Sequence, residues 1–240
     1  GSKTINEARK EANRTVNTLT ISAEEAKRLN GETIPFDSFP GGDQRRGHYE
    51  RVPIGVVLAI TPFNDPLNLV AHKLAPPVAA GCPVVLKPAS QTPSPALMLA
   101  DFLAAAGLPA GALSVLPSRG SDAERLATDD RFKALTFTGS MDVGWHLKEI
   151  AWKRRVTLEL GGNAAVVVEP DTVDLAAVAK KIAGAAYGYA GQSCIAVQLV
   201  LAHEDVYVAL RRELVEATEA VRSGDPADNR VICGPLIDAE

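Results

Sequence analysis

From Gly55 to Leu160 the chain alternates short apolar runs with longer helix-like stretches. Val56-Val57-Leu58-Ala59-Ile60, Pro83 to Leu86, Ala112 to Leu116, Ala134 to Thr138 and Val156 to Leu160 read as five buried strands. Between them, Leu67 to Ala80, Pro95 to Ala106, Asp122 to Thr128 and Met141 to Trp152 read as helices. Gly81 and Gly107 fall just past the ends of the first two, the position where a helix is capped. Apolar strands separated by helices predict an α/β architecture, a parallel, doubly wound sheet covered on both faces.

The flanking segments differ. Residues 4 to 29 are rich in Glu, Ala, Lys and Arg, and Ile5, Ala8, Ala12, Val16, Leu19 and Ile21 form a helix-like apolar stripe. A polar stretch follows, with extended candidates at Thr33 to Phe36 and His48 to Pro53 that can pair as a projecting hairpin. After Leu160, the strand-like Ala164 to Val168 and Val197 to Ala202 and the helical Leu175 to Tyr187 and Asp205 to Val221 begin a second α/β unit. Residues 234–240 look like the start of another helix. Two strands are too few to close a core, so the chain reads as a piece cut within its second domain. The expected division is 1–54 (helix and hairpin), 55–160 (the parallel-sheet domain) and 161–240 (a partial second domain).

Composition adds exclusions. The 240 residues carry a formal net charge of −4 and are 46% hydrophobic and 22% charged, ordinary for a globular chain of this length. Mild acidity, with no basic run beyond Lys153-Arg154-Arg155, gives no footprint for nucleic acid. No apolar stretch reaches membrane-spanning length. Gly1-Ser2 reads as a cloning remnant, and no signal-peptide pattern follows it. The three cysteines, Cys82, Cys194 and Cys233, have neither disulfide nor metal-ligand spacing, and the four histidines are scattered. Free thiols in a reducing cytoplasm, and no metal, are the expectation.

Candidate chemistry clusters after the strands. Cys194 lies in the small, flexible run Gly191-Gln192-Ser193-Cys194, and Glu159 ends the fifth strand in Leu158-Glu159-Leu160-Gly161-Gly162. A thiol with a carboxylate base suits covalent acyl chemistry, although an isolated Cys is more often a small buried hydrophobe. Thr61-Pro62-Phe63-Asn64 follows the first strand, where parallel sheets bind ligands. The Asn64 amide can face a developing oxyanion, or Asn64 can simply turn the chain between two prolines. Lys87 closes the second strand and can donate to a ribose or phosphate, or serve as an exposed strand cap. Phe137-Thr138-Gly139-Ser140 ends the fourth strand and opens a helix, which suits a pyrophosphate as well as an ordinary strand-turn-helix junction. No Gly-x-Gly-x-x-Gly follows any strand, so a dinucleotide would bind without that turn.

Taken in order, Pro62-Phe63-Asn64, Leu86-Lys87-Pro88-Ala89, Phe137-Thr138-Gly139-Ser140, Leu158-Glu159-Leu160-Gly161-Gly162, the Gly191 to Cys194 run and Gly234-Pro235-Leu236-Ile237 resemble the NAD(P)-dependent aldehyde dehydrogenase superfamily. The resemblance implies a Rossmann-like nucleotide-binding domain and a role for each position. Cys194 would attack the aldehyde carbonyl, and Asn64 with the Cys194 N–H would hold the oxyanion. Glu159 would activate the thiol or the hydrolytic water. Thr61, Pro62, Phe63, Lys87, Ser90, Phe137, Thr138, Gly139, Ser140, Leu160 and Gly161 would line the cofactor site, with Lys87 on the adenosine ribose and Ser140 on the pyrophosphate. Hydride would leave the thiohemiacetal for the nicotinamide, and water would hydrolyse the resulting thioester.

Glu159 favours hydrolysis, because relatives that pass the acyl group to coenzyme A generally lack it. Ser90 stands where many NAD-preferring relatives carry Glu, which leaves NAD and NADP both open. Gly31 to Asp37 and Ile60 to Lys73 look closest to the lactaldehyde, phosphonoacetaldehyde and non-phosphorylating glyceraldehyde-3-phosphate branch, hence a small polar or anionic aldehyde. The resemblance also implies a homodimer or homotetramer. The family's Glu-x-Phe-Gly-Pro motif and one strand of its oligomerisation arm are absent from these residues, so the chain alone is expected to be inactive. Two other readings are a non-catalytic binding or structural subunit on the same fold, and an acyl-phosphate reductase such as a glutamyl-phosphate reductase. Leu158 to Gly162 ahead of Gly191 to Cys194 fits the aldehyde oxidisers better.

Overall fold

The computed structural model describes residues 3–238. Helix α1 (Ile5–Ala26) is followed by a hairpin of β1 (Glu32–Ile34) and β2 (Gly47–Tyr49), and then by β3 (Val56–Ile60), α2 (Asn68–Ala79), β4 (Val84–Lys87), α3 (Ser94–Ala105) and β5 (Leu113–Val115). Next come α4 (Asp122–Ala127), β6 (Phe132–Gly139), α5 (Met141–Ile150), β7 (Arg155–Leu160), β8 (Ala164–Val168), α6 (Leu175–Tyr187), β9 (Val197–Ala202) and α7 (Glu204–Glu219).

The central sheet has five parallel strands in the order β5-β4-β3-β6-β7. Successive side chains of a strand point to opposite faces, and β3 is apolar on both. Val57 and Ala59 pack with Val70, Leu74, Val84 and Leu99 under α2 and α3. Leu58 and Ile60 pack with Ala123, Phe132, Leu135 and Leu147 under α4 and α5. Leu58, Leu74 and Leu86 are wholly buried, which is why these strands lack a polar alternation. Helices after β3 and β4 cover one face and those after β5 and β6 the other, so strand order reverses between β3 and β6. Ligand crevices of open α/β sheets lie at such a reversal.

Residues 161–238 form a smaller unit. β8 and β9 pair in parallel, and Val166, Val168, Val200 and Ala202 pack on Ile182 of α6 and on Val206 and Leu210 of α7. On the other face Val167, Leu199 and Leu201 are exposed. Residues 234–238 are irregular, and the rest of the expected helix start, Ala239-Glu240, lies outside the described residues, as does Gly1-Ser2.

Two expectations need correction and one is met. The hairpin strands are shorter than the extended stretches at 33–36 and 48–53: Pro35, which cannot donate to a ladder, follows the first, and Tyr49 ends the second opposite Glu32. The helix over 67–80 survives Pro76 and Pro77, which sit in its last turns. The apolar stripe of α1 faces the protein only in part, with Leu19 packed against the core. Ala8, Ala12 and Val16 are exposed, and the helix buries Glu11 and Thr15 instead.

Candidate active site

The strand register brings the chemistry together. Ile60 of β3 lies beside Lys87 of β4 and Phe137 of β6, and Thr138 and Gly139 of β6 lie beside Glu159 and Leu160 of β7. These carboxyl ends open into a groove of about 760 Å³. Thr61, Pro62, Phe63, Asn64, Lys87, Phe137, Thr138, Gly139, Ser140, Glu159, Leu160, Gly161 and Cys194 all line it. Ser90 does not. It is exposed, and its hydroxyl donates to the Ser118 carbonyl at 3.0 Å.

Cys194 is exposed to the groove, whereas Cys82 is buried beneath the sheet. The loop that delivers it starts with a break after α6. Tyr189 and Ala190 adopt left-handed φ values of 57° and 55°, and Gly191 follows at 75°. Two consecutive non-glycine residues in that region each cost about 1–2 kcal/mol, so their surroundings must hold them. The Asn64 side-chain amide donates to the Gln192 carbonyl at 2.8 Å. The Gln192 side chain donates to the Tyr189 carbonyl at 3.0 Å and accepts from the Ile237 N–H at 3.0 Å. Asn64 is therefore more than a turn residue, since it ties the first strand's loop to the cysteine loop.

Lys87 is only 4% exposed, so it is not a solvated strand cap. Its ammonium reaches only the Pro88 carbonyl, at 3.4 Å. Burial lowers its pKa, with Asp122 opposing the shift. Two buried hydroxyls on the groove, Thr61 Oγ1 and Thr138 Oγ1, have no hydrogen-bond partner among the described residues. Ser140 sits at the N-cap of α5, and its side chain makes no capping bond. These unpaired donors beside a helix N-terminus fit a polyol phosphate such as the ribose-pyrophosphate of NAD(P). Gly139 is required by packing, since a Cβ there would meet the Phe137 ring at 2.5 Å.

Three groove residues escape sequence reasoning. Lys73 is buried, donates to Thr136 Oγ1 at 3.0 Å, and has a pKa pushed down to about 8 by burial, against the pull of Glu159. The pKa of His72 is lowered by burial and by the charges of Arg14 and Lys73. Arg14 pairs with Asp65 at 3.3 Å and keeps its side chain 58% exposed at the groove. Lys73 and His72 sit inside an apolar helix pattern and Arg14 in a charge-rich one, so only the fold brings them to the groove. Among the described residues no group of three or more His, Cys, Asp or Glu could hold a metal ion, and no helix is long and apolar enough to cross a membrane.

The fold is thus a parallel α/β sheet whose crevice at the strand reversal brings a thiol, an amide and a carboxylate to one groove. The profile of the aldehyde dehydrogenase family matches residues 1–240, and the chain belongs to that family. It is 47% identical over 236 residues to a 3-sulfolactaldehyde dehydrogenase of Priestia aryabhattai, covering 98% of this chain and 49% of the relative. Aldehyde dehydrogenase 21 of Physcomitrella patens, solved in complex with the reaction product succinate, superposes with a TM-score of 0.93 at 42% identity, covering 98% of this chain and 49% of that one. The NADP-dependent glyceraldehyde-3-phosphate dehydrogenase of Bacillus halodurans C-125, complexed with NADP, gives a TM-score of 0.93 at 37% identity, covering 99% and 50%. The chain spans about half the length of the relatives it matches.

Proposed function

We propose that the protein is the nucleotide-binding and nucleophile-bearing part of an NAD(P)-dependent aldehyde dehydrogenase that oxidises a small anionic aldehyde to a carboxylic acid. The observation that carries this is the convergence of Cys194, Glu159 and Asn64 on one groove with the buried Lys87 and the unpaired hydroxyls of Thr61 and Thr138. Cys194 adds to the carbonyl carbon. The Asn64 amide and the Cys194 N–H stabilise the alkoxide, where one such donor is worth about 10²–10³ in rate. Bound NAD(P)+ supplies a hydride acceptor. Glu159 then takes a proton from the water that hydrolyses the Cys194 thioester. Residues 55–160 serve as the nucleotide-binding domain, 161–240 as the start of the catalytic domain, and 1–54 as helix and oligomerisation hairpin. The assembly is a cytoplasmic homodimer or homotetramer, a reading supported by the family resemblance and by the free thiols.

The anionic substrate class rests on Arg14. Its guanidinium stands at the groove, half exposed and steadied by Asp65, the residue after Asn64. The relatives above are named for a sulfonated and a phosphorylated aldehyde, or hold a dicarboxylate product. Ser90, neutral and clear of the groove, leaves both cofactors admissible.

The test uses the longest reading frame that contains these residues, assayed with NAD+ and NADP+ against succinate semialdehyde and against propanal. Reduced cofactor should form faster with the anionic aldehyde. Arg14→Gln should raise its KM by about 10–100-fold, the worth of a hydrogen bond between charged groups, with a smaller effect on propanal. Absence of any aldehyde-dependent reduction would remove the functional reading, and an unchanged KM would remove Arg14.

A further inference from the structure

The buried face of α1 is polar. Thr4, Glu11 and Thr15 are each at most 4% exposed, and the helix carries Glu7 and Glu11 one turn apart on that side. Glu11 Oε1 accepts the Leu67 and Asn68 N–H groups at 2.7 and 2.8 Å, capping α2 just past Asn64. Glu7 Oε1 accepts the Tyr189 N–H at 2.7 Å, at the left-handed break that leads to Cys194, while its Oε2 accepts the Thr4 N–H at 2.8 Å. Lys3 lies between the two. Its ammonium pairs with Glu11 at 2.6 Å and with Asp65, and stands 4.6 Å from the centre of the Tyr189 ring.

Nothing in helix packing asks for this arrangement. Like charges at i and i+4 oppose each other, and buried carboxylates cost free energy unless hydrogen-bonded. Each carboxylate is instead satisfied by backbone N–H groups of a different loop. One loop carries the candidate oxyanion amide and the other the candidate nucleophile. Besides α1, the hydrogen bond from Asn64 to Gln192 joins those loops.

We propose that α1 is a positioning element of the active site, in which Glu7 and Glu11, held about 6 Å apart along one rigid helix, fix the Cys194 loop in register with the Asn64 loop. This rests on the roles given to Cys194 and Asn64 above. Glu7 touches neither substrate nor cofactor. It acts through Tyr189, by holding a backbone that would otherwise relax toward right-handed φ and carry the thiol away from the amide.

Glu7→Ala, Glu7→Gln and Thr4→Ala, made in the longest reading frame, test the proposal. Glu7→Ala should lower kcat about tenfold or more, since small misplacements of reacting groups are costly, with KM for aldehyde and cofactor changed less than about threefold. Glu7→Gln keeps one acceptor oxygen and should recover part of the loss. Thr4→Ala weakens the cap of α1 but leaves the carboxylate on Tyr189, so it should lower Tm and keep kcat within about twofold. A kcat for Glu7→Ala within twofold of the parent, or an equal kcat loss in Thr4→Ala, overturns the proposal. Amide exchange on the 240-residue chain gives a readout that needs no turnover. Glu7→Ala should speed exchange at Tyr189 to Gln192 about tenfold and leave β3 and β6 unchanged, and equal exchange in that loop overturns the tether. If the parent oxidises no aldehyde while the loop still loosens, the functional reading fails and the tether stands.

Discussion

Asn64 donates its side-chain amide to the Gln192 carbonyl at 2.8 Å, joining two loops 128 residues apart in the chain. The bond occupies one of the two amide hydrogens and leaves the second for an oxyanion. Asn64→Ala therefore removes a donor and a loop tie together. In an active form of the protein it should lower kcat by about 10²–10³-fold, with aldehyde affinity changing much less. Steady-state kinetics decide this, provided chemistry limits turnover, and an unchanged kcat would return Asn64 to being a turn residue.

Exposure separates the thiols. Cys194 is open to the groove, whereas Cys82 is 5% exposed among Val84, Leu74 and Leu99. Iodoacetamide followed by peptide mapping should modify Cys194 first and Cys82 last, because only the accessible thiol can be attacked. Faster labelling of Cys82 or Cys233 would sink the assignment of the nucleophile.

Glu159→Gln keeps the shape of the side chain and removes its basicity. Thioester hydrolysis should then slow more than the redox step, so rapid mixing should give a burst of reduced cofactor followed by slow turnover. An equal loss of both phases would place Glu159 in activation of Cys194 instead.

Lys73 offers a prediction that needs no activity. Its folded pKa of about 8 lies below its ordinary 10.5, so the unfolded chain binds the extra proton between those values. Stability contributed by this site therefore rises with pH across that window, and the full cost of burying the charge, roughly 3 kcal/mol, is present below it. Lys73→Met removes the charge. Its stability relative to the parent should be greatest near pH 7 and should fall toward pH 10 by an amount of that order. Urea melts at the two pH values measure it, and a difference independent of pH would show that Lys73 keeps an ordinary pKa when folded.

The sheet was readable because β3 and most of β4 are apolar on both faces, so a short run with no polar alternation signals a strand buried between helices. The site was readable where residues sit at strand ends, as Lys87, Glu159 and Ser140 do, since parallel strands gather their carboxyl ends. Helix α1 was misread because its burial is driven by carboxylates capping distant backbone amides. Those amides, at Leu67, Asn68 and Tyr189, are invisible to a periodicity of side chains. Lys73 was missed for a related reason. A lysine in an apolar helix reads as its solvated face, and only the packing of α2 on the sheet turns it inward. Ser90 was placed at the cofactor site by the family resemblance, and in the fold its hydroxyl donates to the Ser118 carbonyl and lies clear of the groove.

Glu7 and Tyr189 are separated by 182 residues. A ribosome adding about 5–20 residues per second makes the helix roughly 10–40 s before its partner amide exists. Through that interval Glu7 lacks the Tyr189 amide, whereas Glu11 meets its partners at Leu67 and Asn68 much earlier. The Cys194 loop therefore settles on α1 only after residue 189 has been made, well after the central sheet's strands have been synthesised. During synthesis, the sheet can fold while the thiol still sits in an unformed loop, and the geometry around Cys194 arrives only when that loop reaches the first helix.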